Sequence, residues 1–247
     1  MITTIRIKVL REKMSHFESI GFKINSAEEF EALVAKIFEN GEAVETEDGT
    51  YTVYTDDSGA QIYAQVDANG EFIGFMPFYD AKSERKVHIQ GTITYDDATV
   101  LDIRYQSMSE EETYPFVFDA VNAKTRVLEA GTESLPFVAF PQEITYFETA
   151  GAFMKEFPEL STTYLIPIGL MTPEGEANPN PEPYVMFVGE IKSVELKTND
   201  YSKGEFYVLE VSALDGEVSI VTSKDSLGTE PKVGAFVNGV FWMGAKV

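Results

Sequence analysis

The chain has no cysteine. That absence removes disulfides, thiolate zinc sites, iron–sulfur ligation and a cysteine nucleophile together. It also fits a cytoplasmic protein. Histidine is nearly as scarce, with His16 in a polar N-terminal stretch and His88 between Val87 and Ile89 in a predicted strand. With so few imidazoles, a zinc site would need mostly carboxylates, and no G-x-S-x-G elbow accompanies either histidine. No P-loop and no G-x-G-x-x-G occurs, so no phosphate cradle can be named. No apolar run approaches the ~18–20 residues needed to cross a bilayer. The basic first residues (Arg6, Lys8, Arg11, Lys13) precede no apolar block with a cleavage site, so no secretory signal is expected. No cofactor and no metal is expected, and the sequence sets no oligomeric state.

Basic charge is the other shortage. Nineteen lysines and arginines face 41 acidic residues, a formal charge of −22. Such a surface repels nucleic-acid backbones and anionic membranes; solubility is the plain reading of it, and attraction to a basic partner protein or mimicry of nucleic-acid charge are the sharper ones, which counts alone do not separate. The acidity is uneven: residues 184–247 carry six basic and nine acidic side chains, a net of −3, which leaves −19 for residues 1–183. Forty-one acids make any carboxylate pair uninformative about glycosidase-type chemistry. Glu110-Glu111-Glu112 reads as a solvated run that becomes an acidic docking patch if it faces the same way as Glu42, Glu45, Glu47 and Asp48.

What is present is mostly β pattern. Ser26-Ala27-Glu28-Glu29 is a capping box opening a helix whose stripe is Phe30, Leu33, Val34, Ile37 and Phe38, with a left-handed terminator expected at Asn40-Gly41. From Gly49 to Asp80 the period changes to two, and Asp56-Asp57-Ser58-Gly59 and Asp67-Ala68-Asn69-Gly70 read as hairpin turns of a three-strand meander rather than calcium loops. Further strands are predicted over 86–95, 100–106 and 114–118. Pro136 to Pro141 reads as a short buried strand, then Ile144, Phe147, Ala150, Met154 and Phe157 fall on helical spacing. Tyr164 to Ile168 reads as an edge strand. Thr172 to Pro183 holds four prolines and is expected to be a linker or long loop.

After it come strands over 184–198, 205–213 and 217–224, a turn-rich crossover at 228–234, and closing strands over 236–247. This strand order, with Gly239 and Gly244 placed for coiling, resembles a small OB-type barrel. The expectation is therefore an α+β domain over 1–171, with a helix packed on an antiparallel sheet, and an OB-like barrel over 184–247. Barrels of that type commonly stack bases on aromatics in a basic groove, and Tyr207 and Trp242 are the candidate platform residues, with Phe206 and Phe241 beside them. Alternation sends Phe241 and Trp242 to opposite faces, and lysines near them are sparse. The chain as a whole is similar to conserved bacterial proteins of no assigned activity in Ser58-Gly59-Ala60-Gln61-Ile62-Tyr63, Tyr114-Pro115-Phe116-Val117-Phe118-Asp119 and Gly239-Val240-Phe241-Trp242-Met243-Gly244. That resemblance carries over no catalytic residue. The expected function is non-catalytic binding, inhibitor- or immunity-like, through an acidic surface. The competing expectation is a carboxylate enzyme, with or without His88, in a cleft between the two domains.

Overall fold

A computed structural model describes residues 16–24, 26–93, 103–109, 114–213 and 216–247. Ser26 caps helix α1 (Ala27–Asn40), its Oγ accepting from the Glu29 N–H, and Leu33 and Ile37 of the apolar stripe are buried. The helix does not end in a left-handed residue. Gly41 is extended (φ −80°, ψ 155°), and a Cβ there would stand 2.6 Å from Thr52 Cγ2. Close approach to the sheet explains this glycine, not backbone conformation. Four antiparallel strands follow in chain order: β1 (Glu42–Thr46), β2 (Gly49–Thr55), β3 (Ala60–Asp67) and β4 (Phe72–Tyr79). In the β3–β4 turn Asp67 Oδ1 accepts from the Asn69 and Glu71 N–H groups, and Gly70 takes the positive φ of +81° that such a turn needs.

The chain then enters a second sheet. It comprises β5 (Arg85–Ile93), β6 (Ile103–Ser109), β7 (Pro115–Ala120), β8 (Gly131–Leu135), β9 (Phe137–Phe147), β10 (Leu165–Ile166), β11 (Tyr184–Thr198), β12 (Glu205–Ala213), β13 (Gly216–Ser223) and β14 (Phe236–Ala245). The order is β10-β11-β12-β13-β9-β14-β7-β6-β5-β8, and β11 also pairs with β14. That extra ladder closes β11, β12, β13, β9 and β14 into a barrel, with β5–β8 extending from it as a flap. Strands dominate, so the α+β description gives way to a mostly β one.

Four barrel strands come from beyond residue 184, and the fifth is β9. The helical spacing at 144–157 is misleading there. The strand runs on to Phe147 because Glu143 to Phe147 pair with Val240 back to Phe236, and Gln142 bulges out beside Pro141. A bulge accommodates a proline that cannot donate to the ladder. Helix α2 is confined to Ala150–Glu156, where Thr149 Oγ1 caps the Ala152 N–H. The last helix, α3, is the single turn Lys224–Leu227 between β13 and β14.

Where the barrel strands are buried on both faces, alternation sorts their side chains into two cores. Phe137, Ala139, Tyr207, Leu209, Ile220, Phe241 and Met243 point into the core that fills the barrel and continues under the flap. Val138, Phe140, Phe206, Val208, Val221 and Trp242 point outward into the core shared with α1 and β2–β4, where Tyr51, Ile62 and Phe78 are fully buried. Fully burying one such side chain is worth about 1.5–3 kcal/mol, so the second core binds sheet and barrel strongly.

The proline-rich stretch is a tethered loop. Asn178 Nδ2 and the Glu182 N–H both donate to the Gly169 carbonyl, Arg104 Nη1 donates to the Pro181 carbonyl, and the Met243 N–H donates to the Pro183 carbonyl. The chain passes from the first sheet to the second between Tyr79 and Arg85.

Candidate functional site

Trp242 is 6% exposed, so its indole faces protein rather than solvent. Its Nε1–H donates to Asp119 Oδ2 at 2.7 Å, and Arg104 Nε donates to Asp119 Oδ1 at 2.6 Å. The His16 ring stacks on the indole at 5.2 Å between centroids, and Phe140 lies tilted at 5.3 Å. His16 Nε2 also meets the Gln142 amide at 2.6 Å. Polar N-terminal sequence thus hides a buried imidazole, and Gln142 reaches it from the bulge in β9. Nothing in the spacing of 16, 119 and 242 announces this cluster, because β14 and β7 meet in parallel over only two residue pairs, Gly244 with Asp119 and Ala245 with Ala120.

Tyr207 faces the barrel interior and is also buried, yet it reaches an open groove of about 520 Å³ at the barrel's α3 end. Leu196 and Tyr207 give the groove an apolar floor, and Lys224, Asp225, Thr229 and Glu230 form its rim. One lysine against two carboxylates leaves the rim net negative. Lys224 is bound to Glu205 at 2.8 Å, a hydrogen bond that raises its pKa, and Asp225 is bound to Lys23 at 2.8 Å, which lowers its own. Glu230 has no ion-pair partner among the described residues. Tyr207 and Trp242 therefore stand in different cores, on opposite faces of the barrel wall, and form no common stacking platform.

A third polar cluster ties the N-terminal lobe, α1 with β1–β4, to the barrel. Asp56, 3% exposed, accepts from the Ser58 N–H and hydroxyl within its own turn and from the Asp200 N–H across the junction at 3.0 Å. Fully buried Asn199 donates to the Ile20 carbonyl and accepts from the Tyr201 and Ser202 N–H groups. Ser202 Oγ donates to the Gly21 carbonyl at 2.6 Å. The β11–β12 loop is thereby held against residues 20–21 and the β2–β3 turn.

Glu110, Glu111 and Glu112 lie outside the described residues. Glu42, Glu45, Glu47 and Asp48 are exposed on β1 and its turn, with Asp48 paired to Lys124 at 2.6 Å. His88 is half-buried in β5, opposite Met108 and Thr132. Among the described residues no three His, Cys, Asp or Glu side chains are grouped to hold a metal, and no helix is long and apolar enough to cross a membrane. No known protein family, curated protein or solved structure matches the chain.

Proposed function

We propose that the protein is a non-catalytic interaction protein, inhibitor- or immunity-like, that docks a basic protein on its acidic N-terminal lobe. The observation that carries this reading is the charge of the exposed residues in one stretch of the chain. Residues 27–48, α1 and β1 together, hold eight acidic side chains and one lysine, Lys36. Glu28, Glu29, Glu31, Glu39, Glu42, Glu45, Glu47 and Asp48 are all exposed. β1 is also an outer strand, paired with β2 alone among the described strands. A field of one sign steers an oppositely charged partner and raises its association rate.

The barrel serves in this reading as an OB-type scaffold. An OB barrel runs through its first, second and third strands, then its fifth and fourth, back to the first. The ladder β11-β12-β13-β9-β14 has that order, with β13 and β9 parallel and α3 between the third and fourth strands. Its fifth strand comes first in the chain. The aromatic platform of nucleic-acid-binding relatives of that fold has no counterpart in buried Trp242, and the groove beside Tyr207 carries the wrong charge for phosphates. The space between lobe and barrel is filled by Phe140, Phe206 and Val208, which disfavours an enzyme cleft there.

A lysate pull-down with the wild-type chain and with a Glu42→Gln, Glu45→Gln, Glu47→Gln variant tests the reading. A basic partner is expected on the wild type at low salt, absent at high salt and absent from the variant. Equal recovery by both proteins, or recovery of nothing basic, overturns it.

A further inference from the structure

Strand pairing lays the side chains of the N-terminal sheet out in rows. Ala43, Thr52, Ala64 and Phe75 are directly paired across β1 to β4 and so share one face. Helix α1 covers this row: Phe30 packs on Phe75 at 5.7 Å between centroids, Gly41 abuts Thr52, and Thr52, Ala64 and Phe75 are buried. The next row on that face is Glu45, Thr50, Val66 and Phe72. There the cover stops. Thr50 and Val66 are half-buried, and Glu45 and Phe72 are exposed. Phe38, in the last turn of α1, meets Phe72 edge-on at 6.3 Å, and Phe72 leans on Phe75 at 4.6 Å. Phe38 is 42% exposed and Phe72 46%. The third exposed ring among the described residues is Tyr201, and Lys36 Nζ already stands 5.9 Å over it.

Two exposed rings in contact form an apolar patch of the kind that marks an interaction surface. Charge decides what covers it. Residues 37–81 hold ten acidic side chains and no lysine, arginine or histidine. Glu45 accepts from the Thr50 hydroxyl at 2.9 Å and has no ion-pair partner among the described residues. No basic residue occupies the last turn of α1, so the negative end of its dipole stands uncompensated beside Phe38. Lys36 lies about 200° around the helix from Phe38, on the Tyr201 flank. A second copy of this chain would bring the same acids against the patch, whereas a cationic partner is drawn to it. We infer that this open row anchors the basic partner of the docking reading above, on which the inference rests. An arginine of the partner stacks its guanidinium on Phe38 and Phe72, and a second basic residue pairs with Glu45. The two ends stand about 14 Å apart, three strand spacings, which an extended segment spans with about three residues between its two bases. Arginine suits the aromatic end better than lysine, because its planar, weakly hydrated guanidinium stacks on rings.

The test is an amide NMR titration of the full chain at low salt with two end-blocked pentapeptides, Arg-Ala-Ala-Ala-Arg and Lys-Ala-Ala-Ala-Lys. The arginine peptide is expected to shift the Glu45, Thr50, Val66 and Phe72 amides saturably. It should bind about twofold to fivefold more tightly than the lysine peptide, the range for one exposed cation–π contact. Phe38→Leu and Phe72→Leu, which keep the patch apolar, should each reduce that preference and together abolish it. Tyr201→Leu should leave it unchanged. Glu45→Gln should weaken both peptides by about twofold to fivefold. Equal affinity for the two peptides, or an arginine preference that survives both leucine substitutions, overturns the anchor while leaving the acidic docking reading standing. No saturable shift from either peptide also overturns the anchor, and the lysate pull-down then decides the docking reading separately. Movement of the Phe72 amide on dilution without peptide, the mark of a second copy of this chain on the patch, overturns it as well.

Discussion

Asp56 is one of several long-range polar links between the N-terminal part and the rest of the chain, beside Asn199, Ser202 and the Asp48–Lys124 pair. It holds its own turn through Ser58 and the β11–β12 loop through Asp200, 144 residues away. Hydrogen bonds to a buried charged group are worth about 1.5–3 kcal/mol, and deleting the acceptor also leaves the Asp200 N–H unpaired. Asp56→Ala should therefore cost about 3 kcal/mol in urea unfolding, whereas exposed Asp57→Ala should stay within about 0.5 kcal/mol. Equal effects would show that the carboxylate does not join the lobes. Sequence spacing identifies Asp56-Asp57-Ser58-Gly59 as a turn, which it is. It cannot show the second half of the arrangement, because a single polar contact over such a separation leaves no periodic trace. The same limit hides His16 beside Trp242. The alternation of Phe241 and Trp242, by contrast, is legible, and each residue enters a different core.

At the scale of the element, β9 decides whether the barrel closes. Gly239 of β14 lies where a Cβ would come within 2.1 Å of the Glu143 carbonyl oxygen of β9. That neighbour is backbone and cannot rotate away. Gly239→Ala should cost about 2–3 kcal/mol by forcing β14 from β9, while Gly74→Ala, with open space around its Cβ, should change stability by less than about 1 kcal/mol. Comparable losses at the two sites would mean that the β9–β14 contact is not tight. The meander at 49–79 and the three strands after 184 are readable because turn residues mark their ends. β9 is harder, since apolar side chains face both ways: Ile144 packs on the barrel core, Phe147 on a small cluster with Phe153 and Tyr164, and Phe140 on the second core. The first four residues are covered on both sides and lose the period of two, and after the bulge at Gln142 the adjacent pair Tyr146 and Phe147 faces opposite ways, so the apolar spacing from Ile144 to Phe147 imitates a helix.

Across the whole molecule, burial sets the response to alkali. Desolvation raises the phenol pKa values of Tyr63, Tyr79 and Tyr164 above the ordinary tyrosine range. The folded protein thus keeps protons that the unfolded chain releases near pH ~10. That contribution is complete below the unfolded value and is lost as pH rises through the folded values. Tm should accordingly stay level on this account up to about pH 9–10 and then fall, with Tyr63, Tyr79 and Tyr164 ionising together with unfolding. Ionisation of these three in a still-folded chain, read from the phenolate absorbance lost on replacing each by phenylalanine, would contradict it. The early position of β9 has a consequence for synthesis. Its partners β13 and β14 end at Ser223 and Ala245, so β9 leaves the ribosome ~100 residues ahead of barrel completion, a delay of about 5–20 s at usual elongation rates. Until β13 is translated the nascent chain carries a strand, apolar on both sides over its first four residues, with neither neighbour yet made. The N-terminal sheet has by then been translated, and it presents the face that Val138 and Phe140 occupy in the finished protein.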